Sequence, residues 1–278
     1  MRLARPRTAA VLTLAVLVTL LGFGWPFLVA TDSALNGDVF APIVVGALLP
    51  VVVAVVLAEL ADGGMDAKSV ALLGLLAAVG VAVRAVSPAT GGIEPSFVLL
   101  ILAGRVFGAG FGFAYGAVMI ATSALLTGGV GPWLPFQLLA AGWVGLAAGA
   151  VPGVPAGGRS ERWWLAAFTV PLALLYGAAL NLSFWPLSTV LAPGLSYTAG
   201  ASLAHNLAHY LAFYLATSFG WDLGRAAFAL VALMLAGPAL LGALRRAARR
   251  ARFVPAGTRA AGLDVAAGAD GQSRDGRS

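Results

Sequence analysis

The sequence predicts an all-α integral membrane protein, and two observations support that fold class. First, 60% of the 278 residues are hydrophobic and only 10% are charged, whereas soluble globular chains are about 45–50% apolar and about 25% charged. Second, several apolar runs are longer than the roughly 18 residues that indicate a membrane-spanning helix. A soluble fold of this length could not bury so much apolar surface.

Composition also narrows the function classes. The chain contains no cysteine, which excludes disulfides, thiolate nucleophiles and cysteine metal sites. The net charge of +6 comes mainly from arginines near the two chain ends, where they suit a cytoplasmic membrane face rather than nucleic acid. The sequence lacks a phosphate-loop motif, an HExxH motif and a nucleophile elbow. We therefore expect no enzymatic activity, no bound cofactor and no nucleic-acid partner.

The first three predicted helices follow directly from the apolar runs. The first run covers 8–30 and follows the basic start MRLARPR. Its 23 residues exceed the roughly 7–15-residue apolar core of a signal peptide, so we interpret it as a retained helix. The next two predicted helices cover 39–61 and 69–87, each after a turn-rich segment.

The apolar run 97–126 is either one long helix or two helices. A glycine stands at every fourth position within it: Gly104, Gly108, Gly112 and Gly116. Arg105 is its single charged residue. Because both termini are predicted to lie on one side of the membrane, as argued below, the number of spans must be even. We therefore predict a break near Arg105, with helices at about 94–107 and 109–127. The later glycines then share one helix face, where another helix can approach closely.

Three further helical segments follow. The pattern predicts helices at 134–152 and 163–186, separated by an arginine-bearing loop, and a mostly helical segment at 201–244 with a bend near 237. At a rise of about 1.5 Å per residue the last segment is about 65 Å long, twice the hydrocarbon core of about 30 Å. We expect its spanning part to begin near Trp221 and 201–219 to lie at or above the outer surface.

The arginines predict the topology. The basic residues of MRLARPR and of RRAARRAR at 245–252 place both termini in the cytoplasm by the positive-inside rule. Two termini on the same side of the membrane require an even number of spans. The break near Arg105 gives eight spans, whereas a single helix over 97–126 would give seven. Arg105, Arg159 and Arg162 then lie at the cytoplasmic face. The predicted location is the plasma membrane, which the chain crosses several times.

Four ionisable residues within or beside the predicted spans are candidate ligand contacts: Arg84, Glu94, Asp222 and Arg225. An ionisable group at membrane depth is costly and indicates a functional role. Asp222 and Arg225 stand at i and i+3 and can pair on one helix face. The alternatives are an interfacial position for Arg84, a solvated loop carboxylate for Glu94 and a structural ion pair for the other two.

Amide and aromatic residues on three outer segments form a second candidate set: Gln137, Asn181, Trp185, Asn206 and Tyr210. One interpretation is an aromatic belt at the membrane surface. Another is a pocket for a flat, polar organic molecule. His205 and His209 are spaced like metal ligands, but no cysteine and few carboxylates accompany them, so we predict no metal site.

Three segments resemble one family of membrane proteins. They are the run from GGIEPSFVLL to AAGAVP at 91–152, LLYGAALNLSFWP at 174–186 and FYLATSFGWDLGRAAF at 213–228. In order and spacing they resemble the substrate-binding S components of energy-coupling factor transporters. The resemblance covers about 68–247.

The resemblance implies a domain organisation. It predicts a six-helix substrate-binding core at 67–247, preceded by an extra pair of transmembrane helices at 1–66 and followed by a disordered basic cytoplasmic tail at 248–278.

The resemblance also implies a function. An S component captures a vitamin or related micronutrient from outside, in a pocket on its outer side, and delivers it inward with a coupling membrane subunit and two ABC ATPases. Docking on the coupling subunit would use the small residues Gly74, Ala78 and Ala82, which share one helix face. Cobalamin or a precursor is the leading substrate suggestion. The alternatives are a stand-alone permease or facilitator and a non-transport membrane assembly protein.

Overall fold

The computed structural model describes residues 6–28, 37–61, 67–87, 91–150, 157–188 and 191–251. This part of the chain contains ten α-helices and no β-strand, which confirms the all-α prediction. The helices are α1 (Pro6–Gly24), α2 (Gly37–Ala61), α3 (Ala67–Ala85), α4 (Pro95–Phe107), α5 (Ala109–Thr127), α6 (Leu134–Ala150), α7 (Gly158–Phe184), α8 (Leu203–Thr217), α9 (Phe219–Leu235) and α10 (Gly237–Ala251). Short 3-10 turns lie at Trp25–Phe27, Trp185–Leu187 and Pro193–Leu195.

Three of the described helices are long and apolar enough to cross a membrane: α3, α5 and α7 with its extension to Leu187. The pair α8 and α9 is a fourth candidate if it counts as one span, bent by 60° at Ser218. The apolar helices α4 and α6 are shorter than 18 residues.

The break predicted after Arg105 is present. Gly108 separates α4 from α5 and has a φ of +102°, in the region that glycine adopts without a steric penalty. Its N–H bonds the carbonyl of Gly104 at 2.9 Å and closes α4. The chain therefore turns at the one glycine of the repeat that has this conformation.

The other glycines of the repeat pack inside the bundle. A Cβ at Gly104 or Gly112 would meet the carbonyl oxygen of Gly145, and a Cβ at Gly116 would meet that of Ala141. Helices α5 and α6 form the most extensive helix contact in the described structure, and α4 lies against the same part of α6. The glycine face thus serves close packing between helices, as small residues do in membrane bundles.

The amino-terminal pair joins the main bundle. Helix α1 packs mainly on α2, and α2 contacts α5 and α6. Leu48 of α2 is fully buried in the same hydrophobic cluster as the core of α4 to α6. Two side-chain contacts tie α1 to α6: the Trp143 indole N–H donates to the Thr19 hydroxyl at 3.0 Å, and the rings of Phe23 and Phe136 lie 5.1 Å apart.

Three predicted boundaries need correction. Helix α7 begins at Gly158 rather than at 163, because Glu161 finds partners in its first turn, as described below. The segment 201–244 contains the predicted bend, at Ala236, but a second break at Ser218 divides it further, so that it consists of parts of three helices. The predicted disordered tail from 248 is helical as far as Ala251, since alanine and arginine favour helix. The rest of that tail lies outside the described residues.

Candidate functional site

The four charged residues singled out above meet at one end of the bundle. Arg84 lies in the last turn of α3, Glu94 directly precedes α4, and Asp222 and Arg225 lie in the first two turns of α9. Arg225 Nε donates to Glu94 Oε2 at 2.7 Å, and its Nη1 donates to Asp222 Oδ1. Arg84 Nη1 lies 3.5 Å from Glu94 Oε1. Three helices are thus linked by one chain of ion pairs.

Arg225 is the centre of this chain. Its side chain is buried and serves two carboxylates. The guanidinium also lies over the Tyr176 ring at 5.0 Å and near the Phe97 ring at 5.9 Å, within cation–π range. Because its N–H groups bind two carboxylates and its planar face packs on an aromatic ring, the Arg225 guanidinium is held in place and acts as a brace between α4, α7 and α9.

Glycines allow the backbones to come close enough for these pairs. Gly92 has a φ of +93°, and a Cβ there would lie 2.6 Å from the backbone nitrogen of Arg225. A Cβ at Gly224 would meet the carbonyl oxygen of Gly91. The loop after α3 therefore rests directly on α9. On the far side, the carboxylate of Asp222 packs against the bare Cα of Gly177.

A cleft of about 460 Å³ opens beside these charges; we call it the polar cleft. Among the predicted site residues, Arg84, Glu94, Gln137 and Arg225 line it. Its other walls come from residues outside the predicted ligand contacts: Ala85, Ser87, Gly92, Ile93, Ser123, Thr127, Tyr176, Leu180 and Trp221. The set combines hydroxyls, an amide, charges and two aromatic rings, as in sites for small polar organic molecules.

Two smaller cavities adjoin the polar cleft. One of about 120 Å³ shares Arg84, Ser123, Thr127 and Gln137 with it and adds Trp133. The other, of about 260 Å³, shares Arg225, Leu180 and Trp221 and brings in Asn181 and Asp222. Asn181 accepts a hydrogen bond from the Ser218 hydroxyl at 2.8 Å, which ties α7 to the bend between α8 and α9.

The structure places the other three predicted contacts elsewhere. Trp185 donates to the carbonyl of Leu195 at 2.7 Å, and the Asn206 amide exchanges two hydrogen bonds with the backbone of Thr198, at 2.8 and 3.1 Å. The Tyr210 hydroxyl donates to the carbonyl of Ala178 at 2.5 Å. All three are buried, and their polar groups are used within the chain. They are not among the residues that line the polar cleft.

Trp185 and Tyr210, together with Tyr197, form an aromatic cluster that contacts the turn at the end of α1. The Phe27 ring lies 6.2 Å from that of Trp185 and 6.4 Å from that of Tyr210. Trp25 contacts Tyr197 at 5.9 Å, and burial raises the pKa of the Tyr197 phenol. The cluster therefore fastens the end of α1 to the carboxyl end of α7.

A second group of charges lies at the opposite end of the bundle. Glu161, in the first turn of α7, is 1% exposed. It accepts from Arg105 Nε at 2.8 Å, from Arg245 Nη2 at 2.6 Å and from the Gly157 N–H at 2.6 Å. Arg105 is in the last turn of α4 and Glu94 precedes its first, so about 17 Å of helix separates the two groups of charges.

A larger cavity has a different character. It has a volume of about 550 Å³ and lies between α1, α6 and α7, with an almost wholly apolar lining. The Thr19 hydroxyl in this lining donates to the carbonyl of Ala15 at 2.6 Å and accepts from the Trp143 indole N–H. No charged side chain of the described residues lines this groove, so the polar cleft is the better candidate for specific recognition.

The predicted docking stripe is on the outside of the bundle. Gly74, Ala78 and Ala82 are exposed, and a Cβ at Gly74 would meet no atom within 4 Å. The opposite face of α3 is buried, where Gly80 packs against Met119. The small residues therefore form a surface that is open to a partner.

No group of three metal-ligating residues occurs in the described part of the chain. His209 Nδ1 lies 2.9 Å from the carbonyl oxygen of Ser196, and the rings of His205 and His209 lie 4.0 Å apart.

Comparison of the chain with protein-family models, with curated proteins and with solved structures finds no match.

Proposed function

We propose that the chain is a multi-pass plasma-membrane protein with eight spans and both termini in the cytoplasm. The two groups of charges support this topology. Arg105 and Arg245 meet at Glu161, on one end of the bundle, and arginine-rich ends face the cytoplasm. The polar cleft is at the opposite end, which is then the outer side.

The position of α1 agrees with this arrangement. Its last residues and the following turn lie against the aromatic cluster at the carboxyl end of α7. Since Glu161 marks the amino end of α7, α1 begins on the same side of the bundle as Glu161. The beginning of α1 and Arg245 of α10 therefore share one side.

We propose that the protein is the substrate-binding component of an importer of the energy-coupling factor type. The polar cleft is the observation that carries this proposal. It lies on the proposed outer side, is lined by charged, amide and aromatic side chains, and is held by the braced Arg225. Such a site suits capture of a vitamin-like solute from outside, with ATP hydrolysis left to partner subunits.

The size of the cleft bears on the substrate. Pockets for drug-sized ligands measure about 300–1,000 Å³, and the polar cleft, at about 460 Å³, is at the small end of that range. Cobalamin is much larger than a molecule that such a cleft encloses. We therefore favour a smaller micronutrient.

The exposed stripe of α3 is the proposed docking surface for the coupling subunit. Gly74, Ala78 and Ala82 let a partner helix approach the backbone of α3. A bulky side chain would hold that helix away without entering the core, because Ala78 is exposed.

Affinity purification from native membranes tests the proposal. The wild-type chain is expected to retain a membrane subunit and ABC ATPases, and Ala78→Trp is expected to lose them. Ala216→Trp, at an exposed alanine of α8, is the matched control and is expected to keep its partners. Normal partner recovery with Ala78→Trp contradicts the docking surface, and substrate uptake by proteoliposomes without ATPases favours a facilitator instead.

A further inference from the structure

The two arginines of the polar cleft differ in how fully they are engaged. The Arg225 side chain is 8% exposed, and its edges meet two carboxylates at short range. The Arg84 side chain is 31% exposed, and within the described residues its ion-pair contact is the loose one to Glu94, at 3.5 Å. A guanidinium has five N–H donors. Arg84 therefore has donors to offer to a molecule in the cleft, whereas Arg225 is committed to the protein.

The surroundings of Arg84 suit an anionic group. The side cavity that Arg84 lines also contains the Gln137 amide and the Ser123 hydroxyl, and amide and hydroxyl groups donate to carboxylate oxygens. The Thr127 hydroxyl in the same cavity donates to the carbonyl of Ser123 at 2.8 Å. Glu94 faces the main cleft on the other side of the loose pair. A positive and a negative group thus stand side by side along one wall.

The formal charges of the site sum to zero. Arg84 and Arg225 contribute two positive charges, and Glu94 and Asp222 contribute two negative charges. A ligand with a net charge would leave an uncompensated charge in a site partly screened from water, which is costly. A ligand that carries one charge of each sign leaves the balance at zero and can replace the weak contact between Arg84 and Glu94 with two short ones.

We propose that the polar cleft binds a compact zwitterion, whose carboxylate or similar anionic group pairs with Arg84 and whose ammonium group pairs with Glu94. The remainder of the molecule lies against the rings of Tyr176 and Trp221, which line the same cleft. This inference rests on the proposed function, because it names the substrate class of the same site.

Three probes of matched shape test the charge requirement on the purified full-length protein. They are para-(aminomethyl)benzoate, a zwitterion; para-methylbenzoate, an anion; and para-methylbenzylamine, a cation. Titration followed by tryptophan fluorescence is expected to give at least about tenfold tighter binding for the zwitterion than for either ion, because each lost charged contact costs about a factor of ten or more. Equal or tighter binding of an ion, or no binding of any probe, overturns the proposal.

Variants of Arg84 assign the contact. Arg84→Gln is expected to reduce the affinity for the zwitterion about tenfold or more and to leave the affinity for the cation unchanged or higher. Arg84→Lys keeps the charge and is expected to restore part of the loss. Arg246→Gln, at an exposed residue of α10, is the control and should bind like wild type. A zwitterion affinity unchanged by Arg84→Gln overturns the assignment.

These measurements are independent of the partner subunits. If the chain binds the zwitterion but retains no ATPases, the importer proposal fails and the substrate class stands. If it retains ATPases but prefers an ion, the substrate class fails and the importer proposal stands.

Discussion

Replacement of Gly145 by alanine is the sharpest test of the bundle core. Gly145 lies where α4, α5 and α6 meet: its own Cβ would overlap the backbone of Gly112, and a Cβ at Gly104 would overlap its carbonyl. Backbone atoms cannot rotate away as a side chain can. The added methyl group must therefore push α6 away from α5.

The structure gives the size of this effect. The new Cβ would lie 2.9 Å from the Cα of Gly112 and closer still to its carbonyl group, whereas ordinary contacts are 3.4–4 Å. The carbonyl oxygen of Gly112 is the nearest atom, so the helices must separate by about 1 Å. Overpacking costs about 1–3 kcal/mol, and a clash with backbone rather than with a flexible side chain places Gly145 at the upper end. Since alanine favours helix by about 1 kcal/mol over glycine, we expect a net loss of about 2 kcal/mol.

Thermal unfolding in detergent, followed by tryptophan fluorescence, measures the difference. A loss of about 2 kcal/mol lowers Tm by roughly 4–8 °C in a chain of this size. Gly46→Ala is the matched control, because Gly46 lies within α2 and a Cβ there would meet no atom within 4 Å; its Tm should stay the same or rise. A Gly145→Ala protein that unfolds at or above the wild-type temperature refutes the close contact between α5 and α6.

Three further outcomes are expected. Gly177→Ala should displace the Asp222 carboxylate that packs on Gly177 and weaken para-(aminomethyl)benzoate binding several-fold. The control Gly220→Ala, at an open position, should bind like wild type. Equal binding by both variants contradicts the role of Asp222 and Arg225 in holding the cleft. Glu161→Gln removes the carboxylate that pairs with both Arg105 and Arg245 and should cost about 3 kcal/mol in unfolding free energy; a loss below about 1 kcal/mol means that this triad is dispensable. Reporter fusions at the two termini should both report the cytoplasm, and opposite sides would return the span count to seven.

Features of the sequence predicted much of the fold. The arginines near the two termini require an even number of spans, which led to the predicted break near Arg105, between α4 and α5. The spacing of Asp222 and Arg225 predicted their pairing, which the structure contains. The pairing depends on residues close together in the chain, where helix geometry fixes the relation between side chains.

Long-range partners could not be predicted in the same way. Glu161 stands in the arginine-rich RSER and resembles a solvated loop residue until α4 and α10 bring Arg105 and Arg245 to it. Tyr176 carries no motif, yet α9 places Arg225 over its ring. Its position one residue before Gly177 was the available signal, because a glycine in a helix often marks a close approach.

The ion-pair chain of the polar cleft depends on glycine as much as on charge. Arg225 can reach Glu94 because Gly92 and Gly224 let the loop after α3 rest on the backbone of α9. Asp222 can stay beside Arg225 because Gly177 leaves room for its carboxylate. A larger residue at any of the three glycines would separate charges that are stable in a buried site only as partners. The chain is rich in glycine and poor in charge. Its glycines therefore bring the few charged side chains of the site within hydrogen-bonding distance of one another.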